Sequence, residues 1–164
     1  MTQEELQKQI FSLDNPLTFL LQTLDTYKNQ NDFEQDLLTP GFLKEWLVSE
    51  LLDHDCHKTK HGPDAYSKDD EKKPYEYLSC KKGGTFQLDR IDSTNLHRIE
   101  RNDKFFFNQF DKKSGLKCLN VWEVETDKVL NEATRKIKKM SKTSKHIGFT
   151  ETWVKQNGKL VYSN

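Results

Sequence analysis

The sequence predicts an α/β protein in which helices come first and a mixed sheet follows, with one late helix and a C-terminal hairpin. Three observations lead there. Apolar residues recur at helical intervals up to about residue 53. From residue 64 onward, short strand-like runs alternate with turns rich in Gly, Asn, Asp and Lys. A basic, helix-patterned segment over 127–141 interrupts those runs.

The elements follow in order. Thr2 and Glu5 stand at capping-box spacing before Leu6, Ile10 and Phe11, which predicts a helix over 2–12. Pro16 suits a first helical turn, and Leu17, Phe19, Leu20, Leu21 and Leu24 predict a second helix over 16–27. Pro40-Gly41 breaks the chain, and Phe42, Leu43, Trp46, Leu47, Leu51 and Leu52 predict a third helix over 42–53. Strands are expected over 64–67 and 75–81, flanking a polar turn at 68–73, and over 85–91 after Gly83-Gly84. Two longer strands are expected over 104–110 and 116–125. Runs over 147–155 and 159–162 flank Asn157-Gly158, which predicts a hairpin.

At 164 residues the chain suits a single compact domain. Eighteen aromatic residues supply bulky packing and argue against disorder. No apolar run reaches the roughly 18 to 20 residues of a membrane span, and the acidic N-terminus lacks a signal peptide's pattern. Cys56, Cys80 and Cys118 are an odd set without CxxC spacing, as expected of reduced thiols in the cytoplasm. The net charge of zero divides unevenly. Residues 1–55 hold three Lys/Arg against eleven Asp/Glu, and residues 56–164 hold twenty-three against fifteen. A basic body with an acidic arm suits a polyanionic partner that meets only the body.

The chemistry concentrates in Gly62-Pro63-Asp64-Ala65 and Tyr75-Glu76-Tyr77-Leu78-Ser79. An acid enters one expected strand and a second acid, twelve residues later, sits on the next. Many nucleases place two carboxylates on one magnesium ion in this way, because metal activates water and offsets phosphate charge. Residues two apart on a strand share a face about 6.6 Å apart, so a lysine at 78 would reach the same phosphate as Glu76. That position is Leu78. Lys81 has the wrong parity unless a bulge shifts the strand, and Lys82 lies roughly 20 Å along it. Lys60 is a further source, and Glu71-Lys72-Lys73 matches E-x-K only inside a hydrophilic turn. The cluster His54-Asp55-Cys56-His57, with His61 nearby, does not match common zinc spacing.

These motifs resemble the PD-(D/E)XK type II restriction endonucleases. Lys60 to Ala65 resembles the approach to that family's first acid, and Glu76-Tyr77-Leu78-Ser79 resembles its E-x-K-S with leucine in the lysine place. Phe105 to Phe107, Val121 to Glu125, Lys145-His146-Ile147, Thr152-Trp153-Val154 and Asn157 to Tyr162 follow in the family's order, so the likeness covers about residues 42–162. It implies a restriction-endonuclease-like core, with residues 1–40 as a helical dimerisation arm and 41–164 as the nuclease domain. It also implies magnesium, with manganese able to substitute, on Asp64, Glu76 and the Tyr77 carbonyl. Lys81 is the candidate substitute for the motif lysine, and His61 the candidate assisting group.

Gln87, Asp89 and Arg90 fall where the family reads bases, and their side chains suit adenine, cytosine and guanine edges respectively. Strand alternation puts Gln87 and Asp89 on one face and Arg90 on the other unless the strand twists. Lys82, Lys142 and Lys145, with Arg135, Lys136, Lys138 and Lys139, are candidate phosphate contacts, and Thr143 and Ser144 add hydroxyls. The expectation is a homodimeric, cytoplasmic, sequence-specific endonuclease of duplex DNA with no membrane association and a cognate methyltransferase as its genetic partner. Two alternatives stay open: an inactive DNA-binding protein on the same fold, favoured by Leu78, and an RNA- or structure-specific nuclease.

Overall fold

The computed structural model describes residues 2–34, 37–39, 41–59, 61–139 and 146–164. The chain divides into two compact units, residues 1–42 with 58–60, and residues 43–57 with 61–164.

In the first unit, helix α1 (Gln3–Phe11) starts on the expected capping box. Thr2 N–H donates to Glu5 Oε2 at 2.7 Å, and Glu5 N–H donates to Thr2 Oγ1 at 3.2 Å. Helix α2 (Pro16–Gln30) is capped by Asn15, whose Oδ1 accepts from Thr18 N–H. It runs three residues beyond the expected Tyr27 and stops before Asp32, whose φ of 56° is left-handed. Phe33 stacks on Tyr27 and meets Phe42 edge-on at 5.7 Å. No residue of α1 or α2 is buried.

The second unit is a mixed α/β structure. After α3 (Phe42–Leu52) come β1 (Asp55–Cys56), β2 (Ala65–Tyr66), β3 (Pro74–Lys81), β4 (Phe86–Asp89) and α4 (His97–Glu100). β5 (Lys104–Phe110), β6 (Cys118–Glu125), α5 (Thr126–Ile137), β7 (His146–Phe149), α6 (Glu151–Asn157) and β8 (Lys159–Ser163) complete it. Six strands form one sheet in the order β1-β2-β3-β5-β6-β8. Its β3–β5 pair is parallel and the others are antiparallel. β4 and β7 form a separate antiparallel ribbon.

Alternation assigns the core. Leu78 and Cys80 of β3 join Phe105, Phe107, Trp122 and Val124 in one apolar cluster, with the inner residues of the ribbon, Val129 and Ala133 of α5, and Val154 of α6. Tyr75, Tyr77, Phe106, Phe110 and Val121 pack on the other face against Val48 of α3. β5 is buried along its length except at Lys104, as befits a central strand covered on both faces.

The C-terminal hairpin is a correction. Residues 151–157 are helical, β7 pairs with β4, and β8 pairs with β6. Thr150 caps α6 by accepting from Trp153 N–H at 3.2 Å, and Val154 enters the core. Gln109 Nε2 donates to Glu151 Oε2 at 2.8 Å, tying the first turn to the sheet. Asn157-Gly158 therefore ends a helix rather than turning a hairpin: Gly158 N–H donates to the Val154 carbonyl. β1 and α4, too short to show periodicity, were not expected.

Candidate functional site

The register of β2 and β3 brings the two acids together. Ala65 pairs with Tyr75 and Tyr66 with Pro74, so Asp64, the residue before β2, comes beside Glu76, whose carboxylate raises its proton affinity. Asp64 is fastened by its backbone: its N–H donates to the Tyr75 carbonyl and its carbonyl accepts from His57 N–H. Its carboxylate Oδ2 accepts from Tyr77 N–H at 2.6 Å.

The pair is half-buried and charge-strained. Burial is the largest cause raising the Asp64 carboxyl well above its ordinary range, with the Glu76 and Glu45 carboxylates adding to it. Burial pushes Glu76 up to about 7, against the pull of Arg101 and Arg98 and with a further push from Glu45. Glu76 Oε2 is buried without a hydrogen-bond partner. Glu45, on the first turn of α3, is itself raised by burial. Sequence reasoning missed Glu45, Arg98 and Arg101, which come from α3, from α4 and from the residue after it. The Asp103 N–H bond to the Pro74 carbonyl, at 2.8 Å, ties the segment carrying the arginines to the start of β3.

A divalent cation fits this chemistry, since it would balance the raised carboxyls and engage the orphaned Oε2. Among the described residues no three or more His, Cys, Asp or Glu side chains form a group that could hold a metal ion. Magnesium retains several waters and is commonly held by one or two carboxylates.

The remaining predicted residues disperse. Leu78 is 5% exposed and sits wholly within the apolar cluster. β3 pairs with β5 without a bulge from Tyr75 to Lys81, so Lys81 points to the face opposite Glu76, about 17 Å further along. That removes Lys81 as the substitute for the motif lysine. Lys82 lies near Glu151, whose carboxyl it helps to hold down. His61 is on an exposed loop, and its carbonyl accepts from His57 Nε2 at 2.9 Å. The Tyr77 backbone N–H serves Asp64, while its hydroxyl bonds His54 Nδ1 at 2.7 Å. Lys60, Lys142, Thr143, Ser144 and Lys145 lie outside the described residues.

Comparison with protein-family models finds none that matches, and comparison with curated proteins finds none either.

Around the ribbon, Gln87 and Asp89 share the exposed face of β4, as alternation predicted, while Phe86 and Leu88 point inward. Arg90 follows the strand at φ 57°, in the left-handed region, so alternation does not govern it. Its carbonyl accepts from Asn95 Nδ2 and Arg98 Nη1. On the basic helix, Arg135 forks onto Glu132, and Lys136 bonds both Glu132 and the Gly148 carbonyl. Lys138 and Lys139 are exposed beyond these pairs. The three thiols are free and each is pushed up to about 11, mainly by burial. Among the described residues no helix is long and apolar enough to cross a membrane.

Proposed function

We propose that this chain is a magnesium-dependent, sequence-specific endonuclease of duplex DNA on a restriction-endonuclease-like core. The observation that carries this reading is the Asp64–Glu76 pair: two half-buried carboxyls, Asp64 raised by burial and by the Glu76 carboxylate, Glu76 raised by burial and by Glu45, with one orphaned oxygen. Such a pair costs stability unless a cation resides there, and perturbed carboxyls of this kind cluster at functional sites.

Asp64 and Glu76 would hold the ion. When bound, magnesium supplies a Lewis acid that lowers the pKa of water and offsets charge on the scissile phosphate. The Tyr77 N–H fixes the Asp64 carboxylate, and β3 carries Glu76 near it. Arg98 and Arg101 bring positive charge to the acids where Leu78 brings none. The separate ribbon presents polar groups suited to base edges, and the basic balance of residues 56–164 suits phosphate contact. A homodimer belongs to this reading, formed through the N-terminal helices, where Phe11 is 73% and Leu17 65% exposed.

A second reading rests on Leu78: its burial in the core leaves the motif's lysine position without charge, as in a DNA-binding protein that does not cut. One experiment separates the two. The purified protein is incubated with unmethylated phage-length DNA in magnesium and in manganese, beside Asp64→Ala. Discrete fragments that vanish in Asp64→Ala support the endonuclease. Salt-sensitive, site-selective binding with no cutting in either metal replaces it with the second reading.

A further inference from the structure

β4 and β7 pair in the register Phe86↔Phe149, Gln87↔Gly148, Leu88↔Ile147 and Asp89↔His146. The inner partners, Phe86, Leu88, Ile147 and Phe149, are all buried in the core. The outer face therefore carries Gln87, Asp89, His146 and a glycine. Gly148 brings no side chain, and a Cβ there would lie 2.9 Å from Thr85 Cγ2, which would have to shift. Gln87 consequently has no side chain directly across from it. At the end of this flat face, His146 Nδ1 lies 2.7 Å from Asp89 Oδ1, with both side chains 62% exposed.

A two-stranded ribbon of this kind is narrow enough to enter the DNA major groove. The Asp89 carboxylate accepts only, so the imidazole's Nδ1 is the donor in this pair. That fixes the ring, and in its neutral form Nε2 is left as an acceptor. The major-groove donors are the exocyclic amines, N6 of adenine and N4 of cytosine.

We propose that His146 is a specificity-determining residue that accepts from an exocyclic base amine, and that Asp89 is its positioning residue rather than a base reader. The inference rests on the endonuclease reading above and adds His146 to its recognition surface. Asp89, which the sequence suggested for cytosine, spends its carboxylate on the imidazole. Gln87, unopposed across the ribbon, stays free to meet a base of its own.

The test is enrichment of bound duplexes from a random library, in an Asp64→Ala background so that no DNA is cut. The parent protein is compared with His146→Ala, Asp89→Asn and the double variant. His146→Ala should lose roughly ten- to a hundredfold preference at one base pair per half-site, the range of one specific base contact, with preference elsewhere unchanged. Asp89→Asn should relax that same base pair, and the double variant should match His146→Ala alone. Replacing the base at that position by its analogue lacking the amine, purine for adenine or pyrimidin-2-one for cytosine, identifies which amine is read. Its cost should disappear in His146→Ala. Relaxation at a different base pair in Asp89→Asn overturns the proposal, because Asp89 then reads a base itself. So does a parent with clear preference that neither variant changes, which makes the pair an ordinary surface contact, or amine deletion without effect. A parent that enriches no sequence instead removes the sequence-specific reading of function, and this inference with it.

Discussion

Burial sets Glu76 near 7, above its ordinary 4.5, and His54 near 4, below its ordinary 6.5. The two shifts give opposite pH dependences. A carboxyl raised by folding contributes stability that is fully present below about 4.5 and is lost as pH rises through about 7. A histidine lowered by folding, here mainly by desolvation, costs stability as pH falls from 6.5 toward 4. The unfolded-state histidine is still half protonated at pH 6.5 and offsets part of this loss, but unfolding free energy without divalent metal should still fall between pH 6.5 and 8. Denaturant titrations should show Glu76→Gln reducing that fall; an unchanged slope would contradict the assignment. Magnesium should raise Tm more at pH 8 than at pH 6, since it competes with protons for the same oxygens, and an equal shift at both pH values would refute metal binding at these acids. Leu78→Lys should not simply restore a missing group. It sets an ammonium among buried apolar side chains and should cost about 2 to 4 kcal/mol in denaturant unfolding, whereas Leu78→Met should cost under about 1.5. A lysine variant as stable as the parent would mean that position 78 opens onto the site.

Among the elements, α6 shows where local signals mislead. Asn157-Gly158 has the composition of a hairpin turn, yet Thr150, Glu151 and Val154 supply a cap, a tether and a core contact that favour a helix. Thr150→Ala should cost about 1 kcal/mol, the usual worth of such a cap, as read by chemical denaturation. Gly158→Ala should destabilise as well, because its Cβ would lie 2.9 Å from Val124 Cγ2 and 3.0 Å from the Glu123 and Val154 carbonyls. By contrast, β5 was legible residue for residue, since a run of aromatics bounded by Asp103 and Asp111 fits a strand buried on both faces. The capping box at Thr2 and Glu5 was equally plain. In the site, strand spacing revealed Asp64 and Glu76. Glu45, Arg98 and Arg101 were illegible because they arrive from α3 and α4 through tertiary placement, which no sequence period encodes. Lys81 failed because only the unbroken β3–β5 register could settle its face.

For the molecule as a whole, charge and apolar exposure are segregated along the chain. Binding to duplex DNA should weaken steeply with salt, each neutralised phosphate contributing about 0.9 to the slope of log K against log salt. Replacing Arg135, which is already forked onto Glu132, should change that slope less than replacing Lys138 or Lys139. The N-terminal helices should mediate self-association: Phe11→Glu with Leu17→Glu should convert a dimer to a monomer in sedimentation while leaving the sheet's circular dichroism intact. A monomeric parent would remove the dimer from the proposal.

The ribbon also bears on how the protein assembles. Asp64 and Glu76 are twelve residues apart, so the contact that sets up the acid pair closes a short loop. Phe86 and Phe149 are sixty-three apart, and the ribbon closes only after β5, β6 and α5 have been traversed. Closure entropy grows with loop length, so the distant pairing is the more demanding step in folding. Pulse-labelled hydrogen exchange during refolding should protect β2–β3 amides before those of β4 and β7. The proposed metal-holding pair would then be laid down ahead of the proposed base-reading ribbon.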